Sequence, residues 1–290
     1  MSLIRSQRTI GHSVTVEGFG YWSGSDVRLE FRPAPVGAGI SFVRDDLGPM
    51  ARVRATPENR IEIPRRTCLR DGNVQVDMVE HVLATLAGLQ IDNCEIGVTQ
   101  AEMPGCDGSA LAFVEALDSA AIDEQGVVVE QLEVTERIRL NYGESWIEAQ
   151  PVEDESFHLD VTVDYPSDPV IGNQKISLAM TPDAFRREIA PCRTFLLERE
   201  ALALVESGLG KRVTSQDLLV FGESGPIENQ LRFTNECARH KALDVVGDLA
   251  LAGYELVGRI VAYRSGHRLN AELARELVKR FRGAALKASA

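Results

Sequence analysis

The sequence predicts an α+β protein built as two similar domains, each a β-sheet layer with helices packed on one face. Three observations predict it. Strand-like runs come before helical runs, and they do so twice along the 290 residues. Each half then shows the same order of helix, glycine, strand, turn and helix. A polar stretch, Asp123 to Gly126, separates the halves. Strands followed by helices within one unit are the pattern of α+β layers, and the length suffices for two domains with proper cores.

The elements follow from the pattern of each segment. HSVTVEGFGY, DVRLEFRPA and GISFVR alternate apolar and polar residues and read as strands. VEHVLATLAGLQ predicts a helix starting near Asp77 and ending at Gly88, with Asp77 as N-cap and Glu80 closing a capping box at the third helical position. A strand follows, roughly Cys94 to Val98, and then DGSALAFVEAL as a second helix. The boundary divides the chain into residues 1–125 and 126–290. In the second half WIEAQP, FHLDVTVDY and KISLAM read as strands and TPDAFRREIA as a helix. The helix that carries His240 comes next, then Gly253, the strand LVGRIVAY and the helix GHRLNAELARELVKRF. The shared order suggests duplication, although residue identity between the halves is low.

Composition sets outer limits. Hydrophobic content of 44% and charged content of 26% are ordinary for a globular protein. A net charge of -12 argues against nucleic acid as a partner. No charged-then-apolar leader and no apolar run of bilayer length appear, so no stable membrane insertion and a cytoplasmic location are expected. The five cysteines are scattered without a C-x-x-C pair, which points to reduced thiols and away from a cysteine-zinc site.

The chemistry concentrates in HKALDVVGD, His240 to Asp248. Steps of four advance an α-helix by about 400°, so His240, Asp244 and Asp248 form one stripe that drifts ~40° per step. A His and an Asp one turn apart can grip one divalent metal from the same side, as in helical zinc motifs. A third ligand must come from elsewhere. Of the other histidines, His81 lies in the first-half helix directly after Glu80, and His267 stands on a Ser-Gly turn opening the last helix. His12 and His158 read as structural. A site drawing Glu80 and His81 from one half and the rest from the other would lie between the halves, a favoured place for clefts. Each residue also has a plainer reading. His240 and Asp244 could be a helix ion pair, His81 a core histidine, Glu80 a capping residue and His267 a helix start.

VEHVLATLAGLQIDN, DGSALAFV, the RTF of Arg193 to Phe195, RHKALDVVGDLAL and AYRSGHRLN together resemble the signature blocks of the UDP-3-O-acyl-N-acetylglucosamine deacetylases. That family is the zinc amidase of lipid A synthesis. The blocks stand in the family's order over nearly the whole chain. The resemblance implies two α+β domains in a sandwich, a cytoplasmic enzyme and one Zn²⁺ per chain in the cleft between the domains. It also implies hydrolysis of the N-acetyl group of a UDP-linked acylated amino sugar, releasing acetate. His81, His240 and Asp244 would be the metal ligands, with a water in the fourth position of the catalytic site. Glu80 would be the general base and Thr194 a donor to the oxyanion. His267 would be the general acid, held charged by Asp248. Lys241 resembles the family's lysine near the polar head of the substrate, though a solvated helix lysine is the plain alternative.

Recognition residues follow the same resemblance. Phe195 would pack near the sugar, and Arg264, where the family usually has lysine, would meet the diphosphate. The acyl chain needs an apolar passage, expected around FLLEREALALVESGL, whose leucines could equally be helix core. The sequence departs from the family pattern at Trp22, within GFGYWSG, at Met103 to Cys106, and across Lys211 to Phe221. These positions touch no metal ligand, acid or base. They keep open an alternative, a divergent paralogue acting on a different N-acetylated sugar. A monomer is expected.

Overall fold

The computed structural model describes residues 5–288. The first half opens with β1 (Ser6–Ile10), then β2 (Val14–Phe19), β3 (Asp26–Pro33), β4 (Ile40–Arg44) and β5 (Arg52–Arg54). β6 (Arg60–Ile61), β7 (Cys68–Asp71) and β8 (Val74–Asp77) form a small antiparallel sheet. Helix α1 (Glu80–Gly88), strand β9 (Cys94–Val98) and helix α2 (Leu111–Ser119) complete the unit. The polar stretch lies in β10 (Ile122–Val128), which pairs antiparallel with β1.

The second half runs through β11 (Gln131–Glu133), β12 (Ile138–Tyr142), β13 (Ser145–Gln150), β14 (Phe157–Tyr165) and β15 (Gly172–Ala179). Next come the short α3 (Pro182–Ala184), a π-turn (Phe185–Ile189), β16 (Phe195–Leu197) and α4 (Glu198–Glu206). After β17 (Leu219–Gly222) and β18 (Gly225–Pro226) come α5 (Glu236–Ala250), β19 (Glu255–Tyr263) and α6 (His267–Ala288).

The two main sheets repeat one plan. Their orders are β2-β3-β9-β4-β5 and β12-β13-β19-β14-β15, with β11 added beside β19. In both, the central strand pairs antiparallel with one neighbour and parallel with the other, and both outer pairs are antiparallel. Each central strand follows one helix and leads into the next, as the repeated order in the sequence predicted. Along β3 the side chains of Val27, Leu29 and Phe31 turn inward at the two-residue period of a pleated strand, leaving charged neighbours outside. Burying each such side chain contributes about 1.5–3 kcal/mol.

Helices α1 and α5 pack against each other, and α5 also lies on β14 and β15. Gly247 makes the helix contact close: a Cβ there would stand 2.0 Å from the Glu80 carbonyl oxygen. Gly88 gives the same clearance to Phe185, whose ring would lie 2.3 Å from an added Cβ.

Two local expectations are corrected. α1 begins at Glu80, after Val79 at the N-cap with no side-chain cap, and not near Asp77. Asp77 stays in the β7–β8 ladder opposite Cys68, and Met78 turns the chain with a φ of 62° before the helix can start. Glu80 therefore closes no capping box. TPDAFRREIA is α-helical only over α3, where the Thr181 hydroxyl accepts from the Ala184 N–H at 3.1 Å, and continues as the π-turn. Among the described residues no helix is long and apolar enough to cross a membrane.

Candidate active site

Helix α5 presents His240 and Asp244 one turn apart, both buried, with His240 Nε2 3.4 Å from Asp244 Oδ1. His81, in the first turn of α1, brings its Nε2 to 3.8 Å from the same oxygen. The two imidazoles meet edge to face, their centroids 5.1 Å apart. One donor atom from each of the three residues lies within 4.8 Å of the other two, a spacing suited to one metal ion. His240 Nδ1 lies 3.1 Å from the Cys192 carbonyl. Donation to that carbonyl leaves the Nε2 lone pair facing the donor set. Burial and the neighbouring His240 lower the His81 pKa to about 3, and burial lowers that of His240, so both rings are neutral, the form that binds metals. Burial alone would raise Asp244, but the charges of Lys241 and His267 outweigh it and hold the carboxyl below its ordinary range.

A second group stands beside the first. His267, the first residue of α6, faces Asp248 with Nδ1 to Oδ2 at 3.0 Å. Asn270 Nδ2 donates to the same oxygen at 2.9 Å, and the Thr67 hydroxyl donates to Asp248 Oδ1. The Thr67 backbone N–H donates to Glu80 Oε2 at 3.0 Å. Burial, reinforced by Asp244 and Asp248 against the opposing His267, raises the Glu80 pKa to about 7. Burial would lower His267, but the charge and hydrogen bond of Asp248, with Asp244 and Glu80 behind them, raise it to about 9. Two titratable groups near one donor set are thus poised as a carboxylate and an imidazolium in the same pH range.

Both groups open on a cavity of about 720 Å³. Thr194, Phe195, Lys241 and Arg264 line it, as does Trp22. Lys241 Nζ pairs with Asp244 Oδ2 at 2.8 Å, leaving Oδ1 to the imidazoles, and lies 5.6 Å from the centre of the Phe195 ring. It is therefore a cavity residue paired with a buried carboxylate, not a solvated helix lysine. Arg264 has a φ of 50°, and its Nη1 lies 2.9 Å from Glu144. Trp22 carries the Arg66 guanidinium over its ring at 4.5 Å. Leu196, Ala201, Leu204 and Val205 supply an apolar wall. No residue of α4 is buried, so its leucines are not helix core.

Thr194 is held by its backbone. Its N–H donates to the Gly108 carbonyl at 2.8 Å, and its carbonyl accepts from Leu219 at 3.0 Å. Arg193, just before it, is buried in a salt bridge with Glu236 at the start of α5, at 2.9 Å. His12 lies on the surface, and His158 is paired with Asp154 at 2.7 Å, outside the cavity. The sequence reading missed Thr67, Asn270, the Cys192 carbonyl and Gly247. Asn270 had a signal, because it stands one turn after His267 on α6. Thr67 had none, being 181 residues from Asp248.

The model of one protein family, described as "LpxC: UDP-3-O-acyl N-acetylglycosamine deacetylase", matches residues 7–279. The chain is 35% identical over 300 residues to the "Bifunctional enzyme LpxC/FabZ" of Chlorobaculum tepidum, an alignment covering 94% of this chain and 64% of that protein. The chain thus spans just under two thirds of that bifunctional relative. It is 37% identical over 276 residues to the "UDP-3-O-acyl-N-acetylglucosamine deacetylase" of Shewanella violacea, covering 94% of this chain and 89% of the relative. With the protein of the same description from Acidithiobacillus ferrooxidans it shares 35% over 282 residues, covering 94% and 90%.

Proposed function

Because the chain belongs to the UDP-3-O-acyl N-acetylglycosamine deacetylase family, we propose that it hydrolyses the N-acetyl group of UDP-3-O-(3-hydroxyacyl)-N-acetylglucosamine, releasing acetate in the committed step of lipid A biosynthesis. The observation that carries this reading is the convergence of His81, His240 and Asp244 with Glu80 and the His267–Asp248 pair on one cavity. The relatives do not favour a different N-acetylated sugar. In this reading residues 1–125 supply Glu80 and His81, residues 126–290 supply the other groups, and the protein acts as a cytoplasmic monomer.

Two neutral imidazoles and one carboxylate fit a single catalytic Zn²⁺, which has three protein ligands in such sites. Bound there, Zn²⁺ supplies Lewis-acid chemistry, making water nucleophilic near neutral pH and polarising an amide carbonyl. The remaining work falls to the chain. Glu80, ionised above about pH 7, takes the proton from the attacking water at its carboxylate. The Thr194 hydroxyl donates to the carbonyl oxygen as negative charge develops on it. His267, protonated below about pH 9, gives its proton to the departing amine nitrogen, with Asp248 keeping it charged. Lys241 holds Asp244 and faces the polar part of the substrate. Phe195 packs on the sugar, Arg264 meets the diphosphate, and the wall from Leu196 to Val205 receives the acyl chain.

The test is acetate release from UDP-3-O-(3-hydroxytetradecanoyl)-N-acetylglucosamine, with and without prior chelation. Release that chelation abolishes and Zn²⁺ restores is expected. No release from protein carrying one equivalent of zinc would overturn the substrate assignment.

A further inference from the structure

Thr67 is fully buried in the segment between β6 and β7, and neither of its neighbours in sequence belongs to the catalytic set. Three of its groups are engaged at the site. The backbone N–H donates to Glu80 Oε2 at 3.0 Å. The backbone carbonyl accepts from the N–H of Val79, the residue capping α1, at 3.2 Å. The hydroxyl donates to Asp248 Oδ1, whose other oxygen faces His267 and Asn270. One residue thereby bonds the carboxylate of the base and the carboxylate behind the acid, which come from different helices and different halves of the chain.

We infer that Thr67 is a positioning residue that couples the base and acid carboxylates of the site. This inference rests on the deacetylase reading. With the hydroxyl in place Asp248 accepts from three donors, and its Oδ2 is turned to His267. Without it, a buried carboxylate oxygen loses its partner, and the carboxylate is free to rotate away from the imidazole. The backbone bonds to Glu80 and Val79 do not depend on the side chain, so a substitution isolates the hydroxyl. The groups whose charge bears on His267 are Asp248 and Asp244 on α5 and Glu80 on α1, and the Thr67 hydroxyl touches only the first of them.

The experiment is a double-mutant cycle in the full-length, zinc-loaded protein, pairing Thr67→Val with Asp248→Asn, with Thr67→Ser as the conservative control. Thr67→Val is expected to lower kcat about tenfold with KM and bound zinc unchanged, and Thr67→Ser to restore it. In the Asp248→Asn background the same change is expected to cost less than about twofold, because the hydroxyl acts through the lost carboxylate. Losses that multiply across the cycle, or a Thr67→Val enzyme with full kcat, overturn the inference. Thr67→Ala enters the same cycle if Thr67→Val does not fold. The low-field NMR resonance of the His267 Nδ1 proton supplies a readout independent of substrate. It should move in Thr67→Val and return in Thr67→Ser, and a resonance that stays in place refutes the coupling. A parent enzyme that releases no acetate would sink the deacetylase reading, while the NMR arm would still decide for or against Thr67.

Discussion

Replacing Asp248 by Asn removes one charge from the site and turns one of its two acceptor oxygens into a donor. The carboxylate is fully buried, and its two oxygens accept from Thr67 on one side and from His267, at 3.0 Å, and Asn270 on the other, so an amide of the same shape can satisfy only one side. In the parent, burial pulls His267 down while Asp248, first among the raising groups, brings its pKa up to about 9. The rise from an ordinary 6.5 to about 9 corresponds to ~3 kcal/mol between the two protonation states. At pH 8 the parent imidazole is then about nine-tenths protonated. A ring returned to its ordinary value would be about 3% protonated.

For a general acid this means a ~30-fold loss of kcat/KM at pH 8 in Asp248→Asn, with the alkaline limb displaced by about two pH units or more toward acid. The assay is the pH dependence of kcat/KM in protein of verified zinc content. Stability supplies a second reading. A histidine whose folded pKa is raised contributes stability that is complete below its unfolded value. That contribution is lost as pH rises through the folded value, here between about 6.5 and 9. The parent should therefore lose up to about 3 kcal/mol over that window, and Asp248→Asn should not. An alkaline limb that stays near pH 9 in the variant would refute the assignment of His267 and Asp248 to the acid role.

Other expectations follow from the same geometry. Glu80→Gln should keep bound zinc while lowering kcat by about 10²–10⁴-fold, and metal analysis beside single-turnover kinetics checks both halves. The acid limb of the parent profile should reflect ionisation of Glu80 near pH 7, rising with pH because the base works as carboxylate, and Glu80→Gln should lack that limb. His240→Ala or Asp244→Ala should lose zinc, read by metal titration, since each removes one of three buried donors; retention of parent affinity would argue against the donor set. Gly247→Ala places a Cβ 2.0 Å from the Glu80 carbonyl. It should cost about 1–3 kcal/mol in thermal or denaturant unfolding as the helices are forced apart, with kcat falling as Glu80 shifts.

The legible part of the site was the part written in local periodicity. His240, Asp244 and Asp248 face one way because helix geometry repeats every 3.6 residues, and any helix over that segment would align them. The adjacency of Glu80 and His81 and the placing of His267 on a turn are equally local. The start of α1 was misjudged because Asp77 looks like a cap in isolation, whereas the β7–β8 ladder claims it as a strand residue. Strand pairing of that kind depends on partners that a local window does not contain. The leucines of α4 fitted helix core and passage wall equally well until the fold showed none of α4 buried, with Leu204 lining the cavity and Leu202 exposed.

By itself the sequence determined the α+β class, the repeated order of elements in the two halves and the stripe of ligand-type residues on one helix. All of these follow from periodicities of two and 3.6 residues and from turn chemistry close along the chain. Tertiary structure alone decided that α1 and α5 meet at Gly247, bringing His81 to 3.8 Å from Asp244. It also decided that Thr67 reaches Asp248 across 181 residues, and that burial and paired charge set Glu80 and His267 on opposite sides of pH 8. Contacts between distant segments, and the loss of water around a charge, are properties of the packed chain and leave no periodic trace in the order of its residues.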